Sequence, residues 1–212
     1  MRIAIFGGTF DPPHIGHLLA ASDACDLLEL DRVFFVPAAS QPLKASHHAS
    51  AEHRVAMVRA LLGDDPRFAV DAIEVERSGL SFTVDTLAAY ATRYPMAERF
   101  LLVGADVLAT FAQWREPGRV RDLAEMVVLQ RGQGDVGIDR LRGRTPSPRR
   151  VDTHPLQDAR AVEAVRPPRM LETRRIDVSS TEIRTRVRDG KSLHGFVPEA
   201  VAQYIAATAL YR

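Results

Sequence analysis

Short apolar runs bounded by polar residues recur along the chain: Ile3–Phe6, Val33–Val36, Phe68–Val75, Phe100–Val103 and Met126–Leu129. Rich in Val, Ile or Phe, they predict buried strands. Between them, residues 17–30, 50–62, 83–94 and 106–113 carry apolar residues at three-to-four spacing, which predicts helices. Leu18, Ala21, Ala24, Cys25 and Leu28 make one such stripe. Met170–Val178 reads as a last strand. Helices from about 180 and from about 198 to 210 come after it, with Pro198 suited to a first helical turn. Strands alternating with helices at this length imply an α/β architecture: an open parallel sheet with helices on both faces and a small C-terminal helical part. Residues 131–169 break the pattern. They are rich in Gly, Pro and Arg with weak periodicity, and read as a surface excursion from a single domain spanning 1–212.

Length and composition narrow the class. The 212 residues are 46% apolar and 26% charged, which fits an ordinary globular domain and excludes a disordered, collagenous or coiled-coil chain. The net charge of +1, from 28 basic and 27 acidic residues, argues against nucleic acid as a partner. Of those basic residues 26 are Arg, so Lys44 and Lys191 stand out. One cysteine, Cys25, excludes an internal disulfide and a multi-thiolate metal site. No apolar run approaches the roughly 18 residues a membrane span needs. The opening Met1–Phe6 run meets Gly7-Gly8 too soon for a signal peptide, so the expected compartment is the cytoplasm.

The chemistry begins where the first strand should end, at Gly7-Gly8-Thr9-Phe10-Asp11-Pro12-Pro13-His14-Ile15-Gly16-His17. Paired glycines permit positive φ and a close backbone approach to a ligand. In an open parallel sheet, ligands bind beyond the C-terminal ends of the strands, and the next helix aims its positive N-terminus there. His14 and His17, three residues apart, share one helix face and can address one anion. Zinc would need further ligands, and no spaced Cys or Glu-x-x-His partner exists. A P-loop is excluded too: Gly190-Lys191-Ser192 has Thr185 where the first Gly belongs, and no Gly-x-Gly-x-x-Gly is present. Later, Ser179-x-x-Glu182 has capping-box spacing, and Arg184 lies within the first turns after it. That is a helix cap and, equally, an anion site with a bidentate clamp.

These blocks resemble the His-x-Gly-His signature of the nucleotidyltransferase superfamily and, within it, bacterial nicotinate-nucleotide adenylyltransferases. The likeness extends to Val36-Pro37 with Pro42-Leu43-Lys44, and to Glu74, Arg77-Ser78-Gly79, Ser81-Phe82-Thr83 and Asp85-Thr86. It continues through Leu102-Val103-Gly104-Ala105-Asp106 with Phe111 and Trp114, and through Val178–Arg184. The blocks occur in family order and cover most of the chain outside 131–169.

The resemblance implies a Rossmann-like fold and transfer of AMP from ATP to nicotinate mononucleotide, giving nicotinate adenine dinucleotide and pyrophosphate. It implies His14, His17, Lys44 and Arg184 as catalytic. ATP and its phosphates would meet Gly7, Gly8, Thr9 and Phe10, then Gly104 and Asp106, then Ser179, Ser180 and Thr181. The pyridine nucleotide would meet Phe82, Thr83 and Trp114. Lys44 also fits a solvated loop, Asp106 a helix cap, and Trp114 plain core packing. Mg²⁺ is expected, held mainly by substrate phosphates, with no protein ligand assigned. Leu43 stands where the family often repeats proline, and Phe82 where it often has tyrosine, which removes a hydroxyl near the pyridine. Alternatives at this point are a nicotinamide-mononucleotide, pantetheine-phosphate or cytidylyl transferase, and a non-catalytic nucleotide-binding module. The oligomeric state stays open.

Overall fold

A computed structural model describes residues 1–40, 47–77, 79–131 and 167–212. Lys44, Ser78 and nearly all of the Arg/Pro-rich excursion at 131–169 lie outside them. Six strands form one parallel sheet: β1 (Arg2–Gly8), β2 (Arg32–Pro37), β3 (Phe68–Val70), β4 (Glu98–Gly104), β5 (Glu125–Arg131) and β6 (Arg169–Thr173). The helices are α1 (Ile15–Leu28), α2 (Ala51–Leu62), α3 (Ile73–Arg77), α4 (Thr83–Arg93), α5 (Pro117–Leu123), α6 (Ser180–Arg188) and α7 (Glu199–Ala207). The strand order is β3-β2-β1-β4-β5-β6. The chain winds outward from β1 in one direction and from β4 in the other, so the crevice for ligands opens between the ends of β1 and β4. These are Gly7-Gly8 and Val103-Gly104, carried side by side by the Phe6–Leu102 register.

Two cores follow from the strand period of two. Ala4 and Phe6 of β1 with Val33 and Phe35 of β2 face α1, α2 and α7, meeting Ala21, Ala24, Cys25, Leu28, Met57, Leu61 and Val201. Ile3 and Ile5 with Phe34 and Val36 face the other way, onto Val84, Leu87 and Tyr90 of α4 and Val120 of α5. The expected α1 stripe is the buried one, with Leu18 partly buried at its edge. No helix among the described residues is long and apolar enough to cross a membrane.

Four expectations need correction. The run Phe68–Val75 is strand only to Val70, and Ile73–Arg77 is helical. Asp71 ends the strand: its amide makes a last bond to the Phe35 carbonyl while its carboxylate caps the Ile73 amide at 3.0 Å. Residues 106–113 form two 3₁₀ turns, Ala105–Ala109 and Phe111–Gln113, closed by tight bonds such as Thr110 to the Val107 carbonyl. The run Met170–Val178 leaves the sheet after Thr173, because Arg174 is drawn to Asp23 of α1 by its backbone amide at 2.8 Å and its guanidinium at 2.6 Å. Pro198 is the residue before α7 rather than within its first turn.

Candidate active site

The β1–α1 turn builds the floor of the site. Gly7 and Gly8 belong to β1, and neither has positive φ; that conformation falls instead on Phe10, at 51°. The strain at Phe10 is offset by burial of its ring, 2% exposed, among Phe6, Phe35 and His17. The glycine at 8 is needed for contact rather than twist: a Cβ there would sit 2.8 Å from the Phe10 ring. At Gly7 a Cβ would meet nothing within 4 Å, so the space above it is open. The Asp11–Pro12 peptide is cis.

His14 is the N-cap of α1, in extended conformation and 7% exposed. His17 stands one turn further on, and its Nδ1 accepts the His14 amide at 3.2 Å. Gly16 between them is dictated by the first ring: a Cβ would lie 3.0 Å from His14 Nδ1. The two histidines therefore share one face at the positive end of a 14-residue helix, as the spacing predicts.

The late signature comes to the same turn from the far end of the chain. Ser179 caps α6 by accepting the Glu182 amide at 3.1 Å, as the sequence predicts. Ser180 Oγ donates to the Pro12 carbonyl at 2.8 Å. Arg184 donates to the Asp11 carbonyl at 2.7 Å and to Thr181 Oγ1 at 3.1 Å. Gly8, Thr9, Phe10, His14, His17, Ser179, Ser180, Thr181 and Arg184 thus form one assembly. A cavity of about 280 Å³ beside it is lined by His48, Arg184, Arg188, Tyr211 and Arg212. A larger one, about 460 Å³, opens among residues at the N-terminal ends of β4 and β5, away from these groups.

The remaining predicted residues lie at the β4 end and at the start of α4. Gly104 is the residue before the first 3₁₀ turn, and a Cβ there would meet Asp106 Oδ1 at 2.5 Å, so the carboxylate folds back over the glycine. Thr83 opens α4 directly after Phe82. Arg115 lies over the Phe82 ring at 4.9 Å and pairs with Asp85 at 3.6 Å, which ties the segment after Trp114 to the start of α4. Trp114 is partly buried, 5.4 Å from the Phe111 ring, and packs on the second core, so its packing role is real.

Beneath the α4 start, Glu74 is buried and accepts the Thr86 hydroxyl at 2.6 Å. Burial pushes its carboxyl up, against the pull of hydrogen bonds from Thr86 and Ser81 and the charge of Arg77. Ser81 Oγ in turn accepts the Ala39 amide at 2.9 Å, joining this segment to the loop after β2.

Sequence reasoning missed three groups. Arg54 of α2 is fully buried, and its guanidinium makes four hydrogen bonds, all to backbone carbonyls: Thr9 at 2.9 Å, Ala38 at 2.6 Å, Ala39 at 3.1 Å and Ala49 at 3.3 Å. Burial lowers its pKa and the nearby Asp11 charge opposes the shift. Asp11, 5% exposed, accepts the amides of His48 and Ala49 and the Tyr211 hydroxyl at 2.7 Å. Burial, then the bond to Asp11, pushes the Tyr211 phenol up. In sequence Arg54 is one arginine on a periodic helix, and Tyr211 lies 200 positions from its partner; neither carries a local signal.

Comparison with known proteins places this geometry. A sequence model described as cytidylyltransferase-like matches residues 5–186, so the chain is a nucleotidyltransferase of that class. A Gemmatimonas aurantiaca protein named as a probable nicotinate-nucleotide adenylyltransferase is 48% identical over 212 residues, covering 100% of this chain and 93% of that protein. One of the same name from Thermus thermophilus is 40% identical over 212 residues, covering 100% of both. The chain belongs to the nicotinate-nucleotide adenylyltransferase family, and it is an enzyme. In fold it is similar to the Plasmodium falciparum nicotinic acid mononucleotide adenylyltransferase solved with NaAD. There the TM-score is 0.70 at 16% identity, over 99% of this chain and 97% of that one.

Proposed function

We propose that the enzyme transfers the adenylyl group of ATP to nicotinate mononucleotide, a step of NAD biosynthesis. A phosphate oxygen of the mononucleotide attacks the α-phosphorus of ATP. The new P–O bond joins the two nucleotides, the bond from the α-phosphorus to the bridging oxygen breaks, and pyrophosphate leaves with that electron pair. The nucleophile is already an anion near neutral pH, so no general base is required. The protein's task is orientation and stabilisation of developing charge.

The observation that carries this reading is the convergence of the His14–His17 helix end and the Ser180–Arg184 helix start on one turn, Asp11–Pro12. Two helix N-termini and their donors facing one place make a polyphosphate site. His14 and His17 are assigned to the α-phosphoryl group and the backbone amides of Gly8, Thr9 and Phe10 to phosphate oxygens. Ser180, Thr181 and Arg184 are assigned to the β- and γ-phosphates. Arg184 and Ser180 now bond carbonyls of the turn, so they would exchange those partners for phosphate. Lys44 is assigned to phosphate as a point charge. Gly104 and Asp106 are assigned to adenosine, and Phe82, Thr83 and Trp114 to the pyridine nucleotide.

Mg²⁺, if bound, would be held mainly by the substrate phosphates, with no protein ligand assigned, and would supply positive charge opposite the leaving pyrophosphate. The proposed compartment is the cytoplasm.

The test is pyrophosphate release with ATP and Mg²⁺, run in parallel with nicotinate mononucleotide, nicotinamide mononucleotide and phosphopantetheine. Turnover greatest with nicotinate mononucleotide is expected. Turnover with phosphopantetheine alone would overturn the pyridine assignment, and none with any acceptor would overturn the reaction.

A further inference from the structure

We propose that Arg54 is a positioning residue for the adenylyl transfer, setting the amide of Phe10 that meets phosphate; this rests on the function proposed above. Its guanidinium is wholly buried, yet all four of its hydrogen bonds go to main-chain carbonyls. Those carbonyls belong to three separate segments. Thr9 lies in the β1–α1 turn, Ala38 and Ala39 come directly after β2, and Ala49 precedes α2. Burying a cation is costly before compensation, and here the compensation comes from carbonyl dipoles and from the nearby Asp11 charge rather than from a hydrogen-bonded carboxylate. Here the planar fork of donors gathers loop backbone instead.

The consequence for the site is geometric. In a trans peptide the C=O and the next residue's N–H point in opposite directions. Drawing the Thr9 carbonyl onto Arg54 therefore turns the Phe10 amide away from the guanidinium. The same logic is visible one strand over. The Ala38 carbonyl bonds Arg54, and the next amide, Ala39, points the other way to bond Ser81 Oγ at 2.9 Å. Phe10 also sits at a φ of 51°, which a non-glycine residue adopts only when its surroundings fix it. The Arg54 bond to Thr9 and the buried Phe10 ring supply that fixing from the two sides of the residue. The buried positive charge lies under the turn without being exposed to the substrate, so Arg54 acts through the backbone rather than by contact.

The experiment compares wild type, Arg54→Lys, Arg54→Ala and Leu61→Ala with ATP, Mg²⁺ and nicotinate mononucleotide. Leu61 is a buried residue of the same helix outside the site, and its truncation controls for lost stability. Wild-type turnover must be seen first; its absence would overturn the proposed function, not this assignment. For Arg54→Lys, which keeps the charge but not the fork, kcat is expected to fall about tenfold or more. KM for nicotinate mononucleotide should stay within about threefold, because only an interaction at the transferring phosphate is lost. Methylguanidinium at non-denaturing concentration is expected to restore about tenfold of the Arg54→Ala rate, and nothing in Leu61→Ala. The assignment is overturned if Arg54→Lys keeps kcat within about threefold of wild type, or if its loss is matched by Leu61→Ala. If Arg54→Ala does not fold, the kcat-to-KM split of Arg54→Lys decides alone.

Discussion

The imidazoles of His14 and His17 lie almost face over face, with centroids 3.7 Å apart and planes inclined by 32°. His17 Nδ1 accepts the His14 amide. In the neutral ring the remaining proton is then on Nε2, which is a donor. The bond thus fixes which nitrogen of His17 would present hydrogen to the proposed phosphate. His17→Ala removes a donor that should matter most when charge develops, so kcat is expected to drop by about 10²–10³ with the fold intact. Steady-state kinetics beside a far-ultraviolet spectrum checks both parts. A variant within about tenfold of wild type would remove His17 from the mechanism.

Gly16→Ala separates helix stability from site geometry. Alanine favours a helix over glycine by about 1 kcal/mol. The added methyl would nevertheless lie 3.0 Å from the His14 ring, which is already buried and stacked on His17. Thermal stability is expected to be unchanged or slightly raised while kcat falls about tenfold, because displacement of a positioned donor is costly. Full activity in a folded Gly16→Ala protein would show that the ring has room to move.

Arg184 is expected to act on ATP rather than on the acceptor, given its place beside Thr181 and the Asp11 carbonyl. Arg184→Ala should raise KM for ATP or lower kcat by about tenfold or more, and leave KM for the mononucleotide near wild type. Initial rates with each substrate varied in turn distinguish the two. Unchanged ATP parameters would contradict the clamp.

Much of this arrangement was legible along the chain because its signals are local. The β1–α1 turn announces itself through consecutive glycines, prolines and two histidines at helical spacing. Ser179 declares a cap because Glu182 stands three residues later. The alternating buried faces are written in runs such as Ile3–Phe6. The errors arise where a distant partner overrides a local pattern. Phe68–Val75 looks like strand until Asp71, which is also bonded by Tyr90 at 2.7 Å and Arg93 at 2.6 Å, turns the chain into α3. Met170–Val178 looks like strand until Arg174 meets Asp23, 151 positions away. Arg54 and Tyr211 are invisible for the same reason. Each is an ordinary residue on an amphipathic or terminal segment, given meaning by carbonyls and carboxylates that only the fold brings near.

Glu74 gives a pH prediction. Its folded-state pKa is raised by burial, so the folded protein holds this proton at pH values where the unfolded chain, near its ordinary value of about 4.3, has released it. Stability from this group is therefore present below that value and lost as pH rises through the folded-state pKa. Glu74→Gln keeps an acceptor for Thr86 without the charge. It is expected to match wild type at pH 4.5 and to be the more stable of the two at pH 7.5. Urea unfolding at the two pH values checks this. A variant less stable than wild type at pH 7.5 would mean that the ionised carboxylate is well satisfied by Thr86, Ser81 and Arg77.

The bond from Tyr211 to Asp11 joins residues 200 positions apart. Asp11 sits in the β1–α1 turn, and it leaves the ribosome long before its partner. Its carboxylate waits for that hydroxyl until every strand of the sheet has been synthesised. During that interval this carboxylate lacks one of the three donors that the described residues give it. Completion of the turn that precedes the histidine pair is thereby tied to translation running through residue 211, so a prematurely released fragment would carry His14 and His17 on an unfinished turn.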